Sequence, residues 1–229
     1  MNISGLQKTS AIDYPGHLSA IVFTQGCNFK CPYCHNPSLI PMEDEQTEIE
    51  LSNIFAFLDK RKGVLDAVSI TGGEPTLQSD LVEFCSKVKD KGYKIKLDTN
   101  GTNPKMLEEL INKGLVDYIA MDLKHPLNEY GWLTDGEYKN EMRKSIRLIL
   151  NSGLNYEFRT TVIPSIHSPE TIEKIVQEIP NAKHYYIQNF RPKVVYNDKF
   201  SEIRRFTEEE LGKMQEIAQD YVSEVAVRN

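Results

Sequence analysis

Ser19-Ala20-Ile21-Val22-Phe23-Thr24-Gln25-Gly26-Cys27-Asn28-Phe29-Lys30-Cys31-Pro32-Tyr33-Cys34-His35-Asn36-Pro37 joins a short β-branched and aromatic run to three cysteines within eight residues. Ser19–Gln25 reads as a strand that ends at Gly26. The same pattern recurs along the chain. Leu65–Thr71 ends in Gly72-Gly73, Tyr93–Thr99 ends in Asn100-Gly101, and Asp117–Leu123, Tyr156–Ile163 and Lys183–Phe190 complete six predicted strands. Helical periodicity fills the intervals: Ser52–Arg61, Asp80–Lys91, Pro104–Lys113 and Tyr138–Asn151, then a helix opened by Ser168-Pro169-Glu170 and closed by Pro180. Thr207 and Glu210 have the spacing of a capping box that opens a C-terminal helix.

Six strand–helix units with short connections predict an α/β fold of parallel strands covered by helices. Six fall short of the eight that close a barrel. An open doubly wound sheet and a curved partial barrel both satisfy the pattern. With no internal linker or low-complexity segment, residues 1–229 are expected to form a single domain, with a short N-terminal extension before the first strand.

The chain is 40% hydrophobic with a net charge of −6, so it can bury a sizeable core and lacks a basic nucleic-acid footprint. Arg191 to Arg205 is locally basic and reads as a solvated face. Neither a signal-peptide pattern nor an apolar run of membrane-spanning length is present, which predicts a cytoplasmic protein. In a reducing compartment, closely spaced cysteines point to a metal or to catalysis rather than to disulfides.

Cys27, Cys31 and Cys34 follow the first predicted strand, on the edge of a parallel sheet where active sites collect. A closed zinc site needs a fourth ligand. His35 adjoins Cys34 and makes poor chelate geometry, and Cys85 falls on the apolar stripe of its helix. An iron–sulfur cluster held by three cysteines would leave one iron open, the mark of a reactive metal site. On spacing alone, an iron–sulfur cluster stands level with the alternatives of a structural zinc site or unrelated buried cysteines.

The Cys-x3-Cys-x2-Cys spacing with Tyr33 before the last cysteine resembles the signature of the radical S-adenosylmethionine (SAM) superfamily. Gly72-Gly73-Glu74-Pro75, at the end of the second predicted strand, is similar to that superfamily's second motif. The resemblance implies a partial barrel of six strand–helix units, a 4Fe–4S cluster on Cys27, Cys31 and Cys34, and reductive cleavage of SAM. It further implies that Gly72, Gly73 and Glu74 meet the SAM ammonium and that Tyr33 and Asn36 lie beside the cofactor.

Gly5-Leu6-Gln7-Lys8-Thr9-Ser10-Ala11-Ile12-Asp13-Tyr14-Pro15-Gly16 resembles the start of glycyl-radical-enzyme activating proteins, as do Cys34-His35-Asn36, Asp98-Thr99-Asn100-Gly101 and Met121-Asp122-Leu123-Lys124. The short length and Gln188-Asn189-Phe190-Arg191-Pro192 most resemble the activators of anaerobic ribonucleoside-triphosphate reductase. That group implies a glycyl radical enzyme as protein substrate and a flavodoxin or ferredoxin as electron donor. It implies SAM contacts from Asn100, Lys124 and Gln188, with Lys124 on the SAM carboxylate. Asp98, Thr99, Asp122 and the Ala120 carbonyl would hold a monovalent cation, and Asp13 and Arg159 would grip the glycine loop.

The sequence departs from the pyruvate formate-lyase activators where Tyr186-Ile187-Gln188-Asn189 replaces a histidine near SAM. About thirty residues separate the cysteines from the second strand, a helix-length connection that leaves no room for an inserted second cluster. An activator of another glycyl radical enzyme, or a compact small-molecule enzyme such as a 7-carboxy-7-deazaguanine synthase, would share the superfamily motifs. A simple iron–sulfur electron carrier would not explain Gly72–Pro75.

Overall fold

The computed structural model describes residues 1–42, 49–134, 136–192 and 194–229. Its strands β1 to β8 lie in chain order. The chain packs as two compact units, each described in turn.

The first unit comprises Met1–Asn28, Ser38–Thr99 and Asn103–Ile119. Strands β1 (Ile3–Tyr14) and β2 (His17–Thr24) form an antiparallel pair. Strands β3 (Ala67–Gly72) and β4 (Lys94–Thr99) follow in parallel, alternating with helices α1 (Leu51–Lys60), α2 (Leu81–Asp90) and α3 (Pro104–Asn112). Ala67, Val68, Ser69 and Ile70 are all buried, as expected of a parallel strand covered on both faces. The helices present the predicted stripes to this core: Ile54 and Leu58 from α1, Leu81, Phe84, Cys85 and Val88 from α2, Leu107 and Leu110 from α3. Pairing of Thr24 with Gly72 brings the ends of β2 and β3 level, so the segments that follow both strands leave from one edge.

The second unit comprises Phe29–Pro37, Asn100–Thr102 and Ala120–Asn229. Strand β5 (Tyr118–Asp122) runs from the first unit into the second. Strands β6 (Asn155–Val162), β7 (His184–Asn189) and β8 (Glu224–Arg228) pair in parallel, with helices α4 (Lys139–Asn151), α5 (Pro169–Val176) and α6 (Glu208–Gln219) between the strands. Ser168 caps α5 with Pro169 in its first turn, and Thr207 with Glu210 forms the predicted capping box on α6. Among the described residues, no helix is long and apolar enough to cross a membrane.

The six predicted strands are β2 to β7. The first correction is the expected N-terminal extension, which forms β1. Its alternation is broken by Gly5, by the polar run Gln7-Lys8-Thr9-Ser10 and by register shifts against β2, so no period-two signal survives. The second is β8, five residues long and added after α6.

Strand β8 is anchored electrostatically. Glu157 on β6 is buried, and Arg228 grips its carboxylate with Nη1 at 3.0 Å and Nη2 at 2.8 Å. Arg159 Nη1 approaches the same carboxylate at 3.6 Å. Arg228→Met removes two charge-assisted hydrogen bonds from a buried anion and should cost about 3 kcal/mol. Urea unfolding of the single variants and of Glu157→Met/Arg228→Met measures it, and the double variant should recover most of the loss.

Candidate functional site

The segment leading to Cys27 is held by Gln25. Its side chain is fully buried and saturated: Nε2 donates to the carbonyls of Ser38 (2.9 Å) and Pro41 (2.8 Å), and Oε1 accepts from Ser4 Oγ at 2.5 Å. Its own carbonyl accepts from Gln78 Nε2 at 2.8 Å. One side chain thus ties the end of β2 to the chain on the far side of the cysteine run. Gly26 N–H donates to the Leu39 carbonyl (2.9 Å) and Cys27 N–H to that of Ile40 (3.1 Å), which continues the tie.

The turn after β3 rests on this segment. Gly73 N–H donates to the Thr24 carbonyl at 2.9 Å and Glu74 N–H to the Gly26 carbonyl at 2.8 Å. A Cβ on Gly73 would collide with the Gly26 carbonyl oxygen and lie 2.6 Å from its carbon. Gly72 has φ +117°, a region closed to other residues without strain. The two glycines are therefore dictated by backbone-on-backbone packing, beyond what a plain strand–helix turn requires.

Glu74 is buried at the head of this turn. Its Oε1 accepts from Thr76 N–H (3.1 Å), Thr76 Oγ1 (2.5 Å) and Thr99 Oγ1 (2.7 Å), which caps the short 3-10 turn Pro75–Leu77 and links β3 to β4. Asp98 on β4 is ion-paired with Lys96. Asp13 on β1 accepts from Ser10 Oγ.

In the second unit, Cys31 and Cys34 form a tight turn, with Cys34 N–H donating to the Cys31 carbonyl at 3.0 Å. Burial pushes the Cys31 thiol up to about 11. Between the two cysteines, the Pro32 carbonyl accepts from Asn197 N–H at 2.9 Å. The Tyr33 ring packs among Trp132, Phe190 and Phe200, with centroids 6.3 to 6.5 Å away. Its Oη is buried with no hydrogen-bond partner among the described residues. His35 stacks on Phe190 with centroids 5.6 Å apart and its Nε2 meets the Arg191 carbonyl at 2.9 Å, so its ring serves the local packing. Asn36 is exposed.

Asp122, at the end of β5, is held by two cations. Arg159 Nε donates to Oδ1 at 2.7 Å and Lys124 Nζ to Oδ2 at 3.3 Å. Burial alone would raise this carboxyl; Arg159 and Lys124 hold it far below the usual carboxylate range. Burial alone would lower the Lys124 ammonium, whereas Asp122 and the Cys31 thiol raise it well above its usual value. The Lys124 backbone is clamped as well. Its N–H donates to Tyr130 Oη (2.7 Å), and its carbonyl lies 3.0 Å from Nε2 of buried His167, whose Nδ1 accepts from Ile163 N–H. An accepting Nδ1 leaves the proton on Nε2, so neutral His167 donates to Lys124.

The remaining predicted residues take quieter positions. Asn100 is buried and its Oδ1 accepts from Thr102 N–H and Oγ1, an Asx turn. Gln188 on β7 is half-buried and its Oε1 accepts from Thr161 Oγ1 at 3.4 Å, whereas its neighbour Asn189 is tied to the Phe206 backbone. Ala120 is fully buried. Among the described residues, all four cysteines are free thiols, and no three His, Cys, Asp or Glu side chains form a group that would hold a metal ion. Sequence reasoning assigned no role to Gln25, Tyr130 or His167. Gln25 stood within a quoted motif, while the other two carry no motif at all.

Residues 21–180 match the family described as the radical SAM superfamily. A protein of Methanocaldococcus jannaschii, named for glycyl-radical enzyme activation, is 39% identical over 99% of this chain and 95% of its own length. The pyruvate formate-lyase-activating enzyme of Clostridium pasteurianum is 26% identical over 80% of this chain and 77% of its own. Among solved structures, Streptococcus suis SuiB bound to its precursor peptide superposes with a TM-score of 0.65 at 18% identity. That match covers 91% of this chain but 48% of SuiB, so the chain spans about half of that neighbour. The chain belongs to the radical SAM superfamily and, within it, to the glycyl-radical enzyme activating enzymes. The shared fold bears out the expected α/β radical SAM architecture, and membership implies a 4Fe–4S cluster and SAM.

The chain's own residues fit such cofactors on two counts. Tyr33 Oη is an orphaned buried donor within the cysteine turn, and the turn after β3 offers bare glycine backbone. Gly73→Ala should force the turn off Gly26 and cost roughly 1–3 kcal/mol, since neither partner is a flexible side chain. Thermal unfolding of the purified variant measures the loss.

Proposed function

We propose that this enzyme generates the glycyl radical of anaerobic ribonucleoside-triphosphate reductase. The observation that carries the radical SAM chemistry is the seating of the Gly72-Gly73 turn on the backbone that leads to Cys27, which joins the two superfamily motifs at one strand edge, and the activating role is supported by the relative that is 39% identical over 99% of this chain. The choice of reductase is supported by the resemblance of Gln188–Pro192.

Cys27, Cys31 and Cys34 would hold the cluster. Once bound there, the cluster and SAM would supply one-electron reductive chemistry and hydrogen-atom abstraction from the substrate. Protein groups bind, orient and exclude water. Backbone at Gly72 and Gly73, with Glu74 behind it, receives the SAM ammonium, and Lys124, set by Tyr130 and His167, receives the carboxylate. Tyr33, Asn36, Asn100 and Gln188 complete the cofactor contacts. Asp13 and Arg159 hold the extended glycine loop of the partner, with Arg donating and Asp accepting. A flavodoxin or ferredoxin provides the electron.

A pyruvate formate-lyase partner is the second reading, favoured by relatives that carry that name at 26–28% identity. After anaerobic reconstitution the protein should bind one cluster. Cys27→Ala, Cys31→Ala or Cys34→Ala should each abolish it, and Cys85→Ala, altering a fully buried thiol on α2, should leave iron content intact. Electron paramagnetic resonance should then show a glycyl signal on the cognate anaerobic reductase. Asp13→Ala and Arg159→Ala should retain the cluster and uncoupled SAM cleavage but lose that signal. A signal on pyruvate formate-lyase alone would reassign the partner, and cleavage of SAM with neither protein modified would move the enzyme to small-molecule chemistry.

A further inference from the structure

We infer that Lys96 is a built-in counter-ion whose ammonium gives Asp98 the positive charge that the family resemblance assigns to a monovalent metal. SAM binding by this enzyme is then indifferent to the monovalent cation present. The inference rests on the reading of Asp98 as a residue of the SAM site.

Lys96 and Asp98 stand two apart on β4, so their side chains share one face of the strand. The Lys96 side chain is 3% exposed and that of Asp98 18%. Lys96 Nζ donates to Asp98 Oδ1, and the Tyr118 ring lies 6.0 Å from Nζ to centroid. A buried ammonium needs a partner, because an unpaired one carries the full desolvation penalty. Displacing Lys96 from Asp98 to admit a metal would create that situation, since an aromatic face replaces only part of a carboxylate's attraction. Thr99, the next expected cation ligand, already donates its hydroxyl to Glu74.

The second unit repeats the arrangement independently. Both oxygens of Asp122 are engaged by cations of the chain, Oδ1 by Arg159 and Oδ2 by Lys124. Each carboxylate expected to bind a metal is thus neutralised by side chains, and Lys96 is the one to which the sequence reading gave no role.

The test measures SAM affinity of the cluster-loaded enzyme in KCl, NaCl and choline chloride at equal ionic strength, with a parallel titration of Tl+, a potassium surrogate, followed by its nuclear resonance. The wild type should hold its affinity within about twofold across the salts and show no saturable Tl+ site. Lys96→Met should bind SAM more weakly in choline chloride, regain at least about fivefold in KCl, and acquire a Tl+ site. A purely structural lysine would give a loss that no cation repairs. Lys96→Gln, neutral and still polar, serves if the methionine variant does not fold. A saturable Tl+ site in the wild type, a fivefold dependence of wild-type affinity on the cation, or variants equally weak in every salt would overturn the inference. Failure of the wild type to bind SAM in any salt would count against the site reading alone, and the Tl+ titrations would still decide the counter-ion.

Discussion

The first unit depends on backbone meeting backbone where Gly73 lies against the Gly26 carbonyl. No side chain fits there, so the distance between the end of β3 and the approach to Cys27 is set by main-chain geometry. Gln25 fixes the opposite side of the same segment through hydrogen bonds to Ser38, Pro41 and Ser4. The approach to Cys27 is thereby held from both flanks, by main-chain contact on one side and by the buried Gln25 side chain on the other. That rigidity is what a site needs when the cofactor performs the difficult step and the protein supplies placement.

The second unit solves a different problem, which is keeping charged groups in place close to buried thiols. Asp122, Lys124 and Arg159 form a chain of alternating charge, and Lys124 is gripped at its N–H, its carbonyl and its ammonium. A flexible lysine has much rotamer freedom to lose on binding an anion. Here the backbone and the ammonium are positioned in advance, so little of that freedom is left to this residue.

Strands β2 to β7 were legible because each is a compact β-branched or aromatic run bounded by glycine, proline or asparagine. The three cysteines were legible because their spacing is local. Strand β1 was not, since its polar residues and register shifts erase the alternation and its partner is supplied by the hairpin. The charge of Lys96 could be read, but its burial could not. A lysine between Ile95 and Leu97 looks like the solvated position of an alternating strand, and only the tertiary fold shows that Asp98 and Tyr118 receive it. Likewise Glu74 was read as a ligand of SAM, and the fold shows its carboxylate capping its own turn and linking β3 to β4. That structural role leaves no trace in a linear motif.

His167 acts as a one-way latch. Its Nε2–H holds the Lys124 carbonyl while its Nδ1 accepts from Ile163 N–H, a pairing open only to the neutral ring, and burial pushes its pKa down to about 4. The unfolded chain accepts a proton near pH 6.5, which the folded chain refuses until the medium is far more acidic. Stability from this residue is therefore complete above the unfolded chain's pKa of about 6.5 and drains away as the pH falls toward 4. An organism that lets its interior acidify would loosen the lysine clamp by favouring the unfolded chain, while alkaline drift would leave the latch closed.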